Sequence, residues 1–297
     1  MSSTKNNRCE LLLIALLMQL GLYLVQGIIV GVISDHGKQP MAYMIASVIT
    51  VPFVFLLPLW FYCKYSGYRP FKNDFGVPPE VKLKTQSGLK AIIEFIAGAS
   101  AVISAVNVLG MLTDSVLSLF TELPPSTLPQ NATEFVLIFV KTVLLAPILE
   151  QLLFRGAIVH AFNDKSDRFK IIISAVLFAL MHYRFTALPY AFGAGIVISF
   201  FAVRKKSIKY GLALHLVSNL TTFIFSVLVS ELDPRIYSIV SAAAFWFFLA
   251  VTLAGGAQLF LSMREKAARN EPKVYEPMPT EIIFYMILAA IFSVLNF

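Results

Sequence analysis

The sequence predicts an all-α fold, a polytopic transmembrane helical bundle of about eight to nine spans. Of 297 residues, 58% are hydrophobic and only 14% are charged, and the mean hydropathy is +0.76. The apolar residues also fall in runs long enough to cross roughly 30 Å of hydrocarbon, which takes about 20 helical residues. A soluble domain averages about 25% charged residues. No water-soluble shape of this length could hide so much apolar surface behind so few charges, so soluble, disordered and fibrous classes are excluded.

The spans fall near 11–34, 41–63, 89–112, 133–162, 171–188, 189–203, 210–229, 236–263 and 282–297, of which the fifth, sixth and ninth are short. The first run is too long for a signal-peptide core, and no small-residue cleavage site follows it. Three polar connections stand out. Residues 64–88 are basic and broken by Pro70, Pro78 and Pro79; residues 113–132 carry Asp114 and Glu122 without Lys or Arg; residues 264–281 set three prolines among charges. The chain divides into N-terminal helices with a basic loop (1–132), a core (133–229) and C-terminal helices (230–297). There is no internal repeat, which removes support for a transporter built from two halves.

Lysine and arginine set the orientation. With the N-terminus inside, nineteen of the 24 fall on inner segments and span edges, from Lys5 and Arg8 to Lys273. Lys38, Arg184 and Arg235 fall outside, and Lys141 and Arg155 lie within spans. This is the positive-inside pattern, with the N-terminus cytoplasmic. The net charge of +7 therefore speaks of orientation and of an anionic lipid bilayer, not of nucleic acid. Cys9 and Cys63 are the only cysteines, too few for a disulfide framework or a thiolate zinc cage.

Charges at membrane depth are costly, so each is a candidate functional group. All six aspartates (Asp35, Asp74, Asp114, Asp164, Asp167, Asp233) fall in predicted loops, which excludes a buried aspartyl-protease pair. Neither H-E-x-x-H nor a convincing G-x-S-x-G occurs. Three spans supply what remains: Glu150-Gln151-Leu152-Leu153-Phe154-Arg155, Phe178-Ala179-Leu180-Met181-His182, and His215-Leu216-Val217-Ser218-Asn219. Measured from the inner span ends at 1.5 Å per residue, Glu150, His182, His215 and Asn219 lie roughly 18, 18, 9 and 15 Å deep. They share a layer between the midplane and the cytosolic face, and His215 and Asn219 project from one helix face.

The residue types define a chemistry. A carboxylate in a poorly solvated cavity is a stronger base than one in water, which suits Glu150 to take a proton from a bound water. A neutral His182 opposite could hold the same water. His215 and the Asn219 amide can donate to an oxyanion forming on a scissile carbonyl. Arg155 could pair with Glu150. Such a set suffices for hydrolysis by activated water, with no covalent intermediate and no cofactor. A zinc site gains little support, because the spacing is unlike the usual signatures and Arg155 opposes a cation.

Taken singly, each group has a plainer explanation. Glu150 with Arg155 would be a buried packing pair, His182 an interfacial residue, and His215 with Asn219 interhelical glue. Jointly, their order and depth favour a hydrolytic site. His36 and His160 sit at predicted span ends and read as interfacial. Glu94 and Lys141 read as separate packing contacts. The Asn131-Ala132-Thr133 sequon abuts the membrane and reads as unused.

The three segments resemble the signature of the CPBP (Abi) family of membrane endopeptidases, which comprises CAAX prenyl proteases and bacteriocin-processing proteins. That signature is E-E-x-x-x-R, then F-x-x-x-H, then H-x-x-x-N or H-x-x-x-D, on successive helices, and the resemblance spans about residues 140–225. It implies Glu150 and His182 as water activators and His215 with Asn219 as the oxyanion site. It further implies a membrane-associated peptide or a prenylated protein as substrate. The family's second glutamate is Gln151 here. If that second carboxylate mainly supports the first by hydrogen bonding, glutamine can replace it; if it must carry charge, the chain is slow or inactive. The departure favours a second reading, a catalytically silent membrane regulator or scaffold that uses the same cavity or spans to bind a partner membrane protein.

Overall fold

The structure is a computed structural model that describes residues 2–35, 39–72, 88–120, 129–230, 232–233, 235–251, 253 and 277–295. Expectations for His36, for the basic loop beyond Lys72, for the outer loop at 121–128 and for the tether at 254–276 lie outside the described residues.

Every regular element among the described residues is helical. The elements are α1 (Ser2–Ile33), α2 (Pro40–Ser66), α3 (Gly88–Leu117), a composite α4 (Ala132–Ala161), α5 (Asp167–Leu180), α6 (Leu188–Lys205), α7 (Ile208–Ser230), α8 (Arg235–Val251) and α9 (Thr280–Leu295). Six of these, α1 to α4, α6 and α7, contain stretches long and apolar enough to cross a membrane. The chain is thus an integral membrane protein, with six of the expected eight to nine spans meeting that length among the described residues. The expected span 171–188 is instead the 14-residue α5, about 21 Å long against a core of about 30 Å. α8 and α9 are also shorter apolar helices.

Local chemistry explains these limits. α5 starts where Ser166 Oγ accepts from the Phe169 amide at 3.2 Å. It ends at Leu180 because Tyr183 turns left-handed (φ 49°), and a tyrosine adopts that conformation only when its surroundings impose it. Here they do. The fully buried Tyr183 hydroxyl donates to Gln19 Oε1 of α1 at 2.6 Å and lies 2.9 Å from the Tyr285 hydroxyl of α9, while its ring packs 4.6 Å from that of Tyr23. α4 begins with a reciprocal cap. Asn131 Oδ1 accepts from the Glu134 amide at 2.9 Å, and Glu134 Oε2 accepts from the Gln130 amide at 2.8 Å.

α4 is the irregular member. Two of its stretches, Val140–Leu145 and Leu152–Ile158, widen to π-helical turns. The first has a cause in the sequence: Pro147 has no N–H, so the Thr142 carbonyl lacks its partner five residues on. The Asn219 amide of α7 fills that role, donating to the Thr142 carbonyl at 2.8 Å. In the second, Ser174 Oγ of α5 donates to the Phe154 carbonyl at 3.0 Å, and Ser199 Oγ of α6 joins it at 3.2 Å. Inside a membrane such freed backbone groups must be met by protein.

α1 packs on α2, α5 on α6, and α3 on α6 and α7, so α6 lies centrally. Its close approach to α5 depends on Gly195, where a Cβ would lie 3.1 Å from the Cα of Ala175. Small residues permit such contacts between membrane helices. His160 sits at the end of α4, and there it is buried in protein: its Nδ1 lies 3.0 Å from the Tyr62 hydroxyl, and its ring packs 4.8 Å from that of Tyr68. Two buried tyrosines from the end of α2 and the turn after it enclose the expected span end. Glu94 pairs with Lys205, and Lys141 contacts Ser47, so the two make separate contacts as expected.

Candidate active site

The candidate residues meet where α4, α5 and α7 converge, around the ring of Phe178. That ring lies edge-on to His182 (5.0 Å between centroids) and to His215 (5.7 Å), and the Arg155 guanidinium carbon stands 4.5 Å from its centre. Glu150 stands beside His215, with Oε2 3.7 Å from Nε2. That separation is too long for a hydrogen bond. It leaves the His215 Nε2 group available to a third atom.

Two hydrogen bonds set the tautomers. His182 Nδ1 lies 2.9 Å from the Phe178 carbonyl. A carbonyl only accepts, so Nδ1 carries the proton and Nε2 of a neutral His182 is an acceptor. Gln151 Nε2 lies 3.0 Å from His215 Nδ1. An amide nitrogen only donates, so Nδ1 accepts and the proton of a neutral His215 is on Nε2, the atom facing Glu150. The two imidazoles therefore take opposite roles. One offers a lone pair, the other an N–H.

Gln151 reaches His215 because Gly211 on α7 leaves space: a Cβ there would come 2.9 Å from Gln151 Oε1. The side chain is fully buried, and among the described residues Oε1 has no hydrogen-bond partner. Arg155 is likewise fully buried, and its Nη2 donates to the Gly195 carbonyl at 3.3 Å. The expected ion pair with Glu150 is not formed among the described residues. On a regular helix residues five apart are well over a quarter-turn out of phase, and the Arg155 guanidinium stands over the Phe178 ring. Among the described residues its Nε and Nη1 have no hydrogen-bond partner.

Glu150 lines a cavity of about 620 Å³ between α1, α2, α4 and α9, together with Gln19, Tyr23, Met181 and Phe292. This volume is within the range of small-ligand pockets. Met181 is the chain neighbour of His182, so the cavity adjoins the imidazole cluster. Asn219 stands apart. One of its amide hydrogens is committed to Thr142, and only the other remains for a ligand. Among the described residues, no group of three His, Cys, Asp or Glu is placed to hold a metal ion.

Sequence reasoning passed over two contributors. Phe178 entered only as the first letter of a motif, yet its carbonyl orients one histidine and its ring packs against both. Lys141 reads in the sequence as a separate packing contact, but it lines the same cavity as Glu150. An unpaired lysine inside a span was the available signal.

Residues 132–221, less than a third of the chain, match the family described as Rce1-like, type II CAAX prenyl endopeptidase Rce1-like. No curated protein and no solved structure matches the chain.

Proposed function

We propose, from the membership of its core helices at 132–221 in the Rce1-like family of type II CAAX prenyl endopeptidases, that the chain is a glutamate-dependent intramembrane endopeptidase. Its substrate is a prenylated protein or membrane-associated peptide whose lipid stays in the bilayer while the peptide enters the cavity between α1, α2 and α4. The N-terminus faces the cytosol, as the charge distribution along the sequence requires.

In the proposed reaction a water sits between Glu150 and His182 Nε2. Its oxygen attacks the scissile carbonyl carbon as Glu150 takes one of its protons. The carbonyl oxygen becomes an oxyanion that accepts from His215 Nε2–H, with the second Asn219 N–H and the charge of Arg155 nearby. The C–N bond then breaks, the oxyanion reforms a carbonyl, and Glu150 returns the proton to the leaving nitrogen. The products are a carboxylic acid and an amine, and no bond forms to the protein. The observation that carries this reading is the opposed pair of tautomers beside the cavity carboxylate.

The Gln151 contact supports activity in the chain as it stands. Its amide hydrogen bond to His215 Nδ1 does the orienting without a charge. An ionised glutamate there would draw the His215 proton onto Nδ1 and away from the oxyanion. Purified protein in detergent is therefore expected to cleave a farnesylated C-a-a-X peptide, and Gln151→Glu is expected to be no faster. Product appearance by mass spectrometry decides. Cleavage confined to Gln151→Glu would establish the silent-regulator reading instead.

A further inference from the structure

Lys141 is the charged group that this chemistry leaves unused. It lies in the first wide turn of α4, half-buried, and lines the same cavity as Glu150. Its Nζ donates to Ser47 Oγ of α2 at 3.2 Å and stands 5.9 Å from the centre of the Tyr43 ring. No carboxylate is within ion-pair range of it among the described residues. A cation held at membrane depth by one hydroxyl is costly unless an anion joins it. Of the described residues around the cavity, only Glu150 carries a carboxyl group.

The spacing says which anion. Lys141 precedes Glu150 by nine residues, about 13 Å along the helix. A C-terminal C-a-a-X sequence places three residues between its lipidated cysteine and the chain end. In extended form these measure about 10 Å, and the flexible lysine stem covers the difference. A peptide with the bond after its cysteine at Glu150 would bring its terminal carboxylate to Lys141.

We propose that Lys141 anchors the free C-terminal carboxylate of the substrate, so that the cavity measures three residues from chain end to scissile bond. The inference rests on the endopeptidase reading for the identity of the substrate. It adds a specificity determinant at the far end of the site: a charge-assisted contact to the chain terminus, absent for an amidated or extended peptide.

Binding tests it independently of turnover. The probe is a farnesylated C-a-a-X peptide with a ketomethylene group in place of the amide bond after the cysteine, made as the free acid and as the C-terminal amide. Both are titrated by fluorescence anisotropy into the full-length protein in detergent. The acid is expected to bind at least about tenfold more tightly than the amide, which corresponds to about 1.4 kcal/mol. Lys141→Met is expected to erase that preference, Lys141→Arg to keep it, and Lys141→Glu to reverse it, with thermal melts confirming that each variant is folded. Equal binding of acid and amide to the unsubstituted protein, a preference that survives in Lys141→Met, or no binding of either peptide overturns the anchor. Cleavage of the ordinary farnesylated peptide, followed in parallel, reports separately on the catalytic reading. A protein that cleaves without distinguishing acid from amide loses only the anchor, and one that distinguishes them without cleaving loses only the enzyme.

Discussion

Glu150→Gln is expected to lower kcat for peptide cleavage by about 10²- to 10⁴-fold, the usual contribution of a positioned general base. The substitution keeps the shape of the side chain and its place on the cavity wall and removes only its capacity to take a proton. The fold should survive, because Glu150 makes no ion pair with Arg155 and stands 3.7 Å from His215 rather than in a hydrogen bond. Circular dichroism and thermal melting in detergent check that point, and steady-state kinetics on a farnesylated peptide check the rate. Retention of a tenth or more of the activity would remove Glu150 as the base.

His215→Ala is expected to cost about 10²- to 10³-fold in kcat, the effect of removing one oxyanion donor. KM should change far less, since the N–H is needed only once the oxyanion forms. The change also leaves the buried Gln151 amide without its acceptor, so some loss of melting temperature accompanies it. Asn219→Ala should cost less in rate, because one N–H of that amide already serves the Thr142 carbonyl. A KM effect for His215→Ala as large as its kcat effect would place the imidazole in ground-state binding instead.

How much of this was legible in the sequence follows from which forces were local. Apolar runs marked all six long helices, although the run at α6, residues 189–203, was short, because partition into lipid depends on composition. Glu150, His182 and His215 stood out because polar groups within spans are costly; the two histidines pack on Phe178, and Glu150 stands beside His215. The seat of Arg155 over Phe178, in place of an ion pair with Glu150, was not predictable from regular helix spacing. The two wide turns of α4 shift the phase of everything between and beyond them. The same irregularity concealed that Lys141 and Glu150 share a cavity. The early end of α5 was hidden for another reason: the left-handed Tyr183 is held by Gln19 and Tyr285, contacts more than 100 residues away in sequence. Long-range packing also buried His160, at the end of α4, against Tyr62 and Tyr68.

The central claim is that Glu150 activates water rather than attacking the substrate itself. One turnover in ¹⁸O-water, with the enzyme in excess over a farnesylated peptide and hydroxylamine present, separates the two. Direct attack by water predicts a single ¹⁸O in the newly formed product carboxylate, with the proteolytic fragment bearing Glu150 unlabelled and no hydroxamate formed. Attack by Glu150 would produce an anhydride, seen as ¹⁸O in the Glu150 fragment or as a hydroxamate, and either signal contradicts the account.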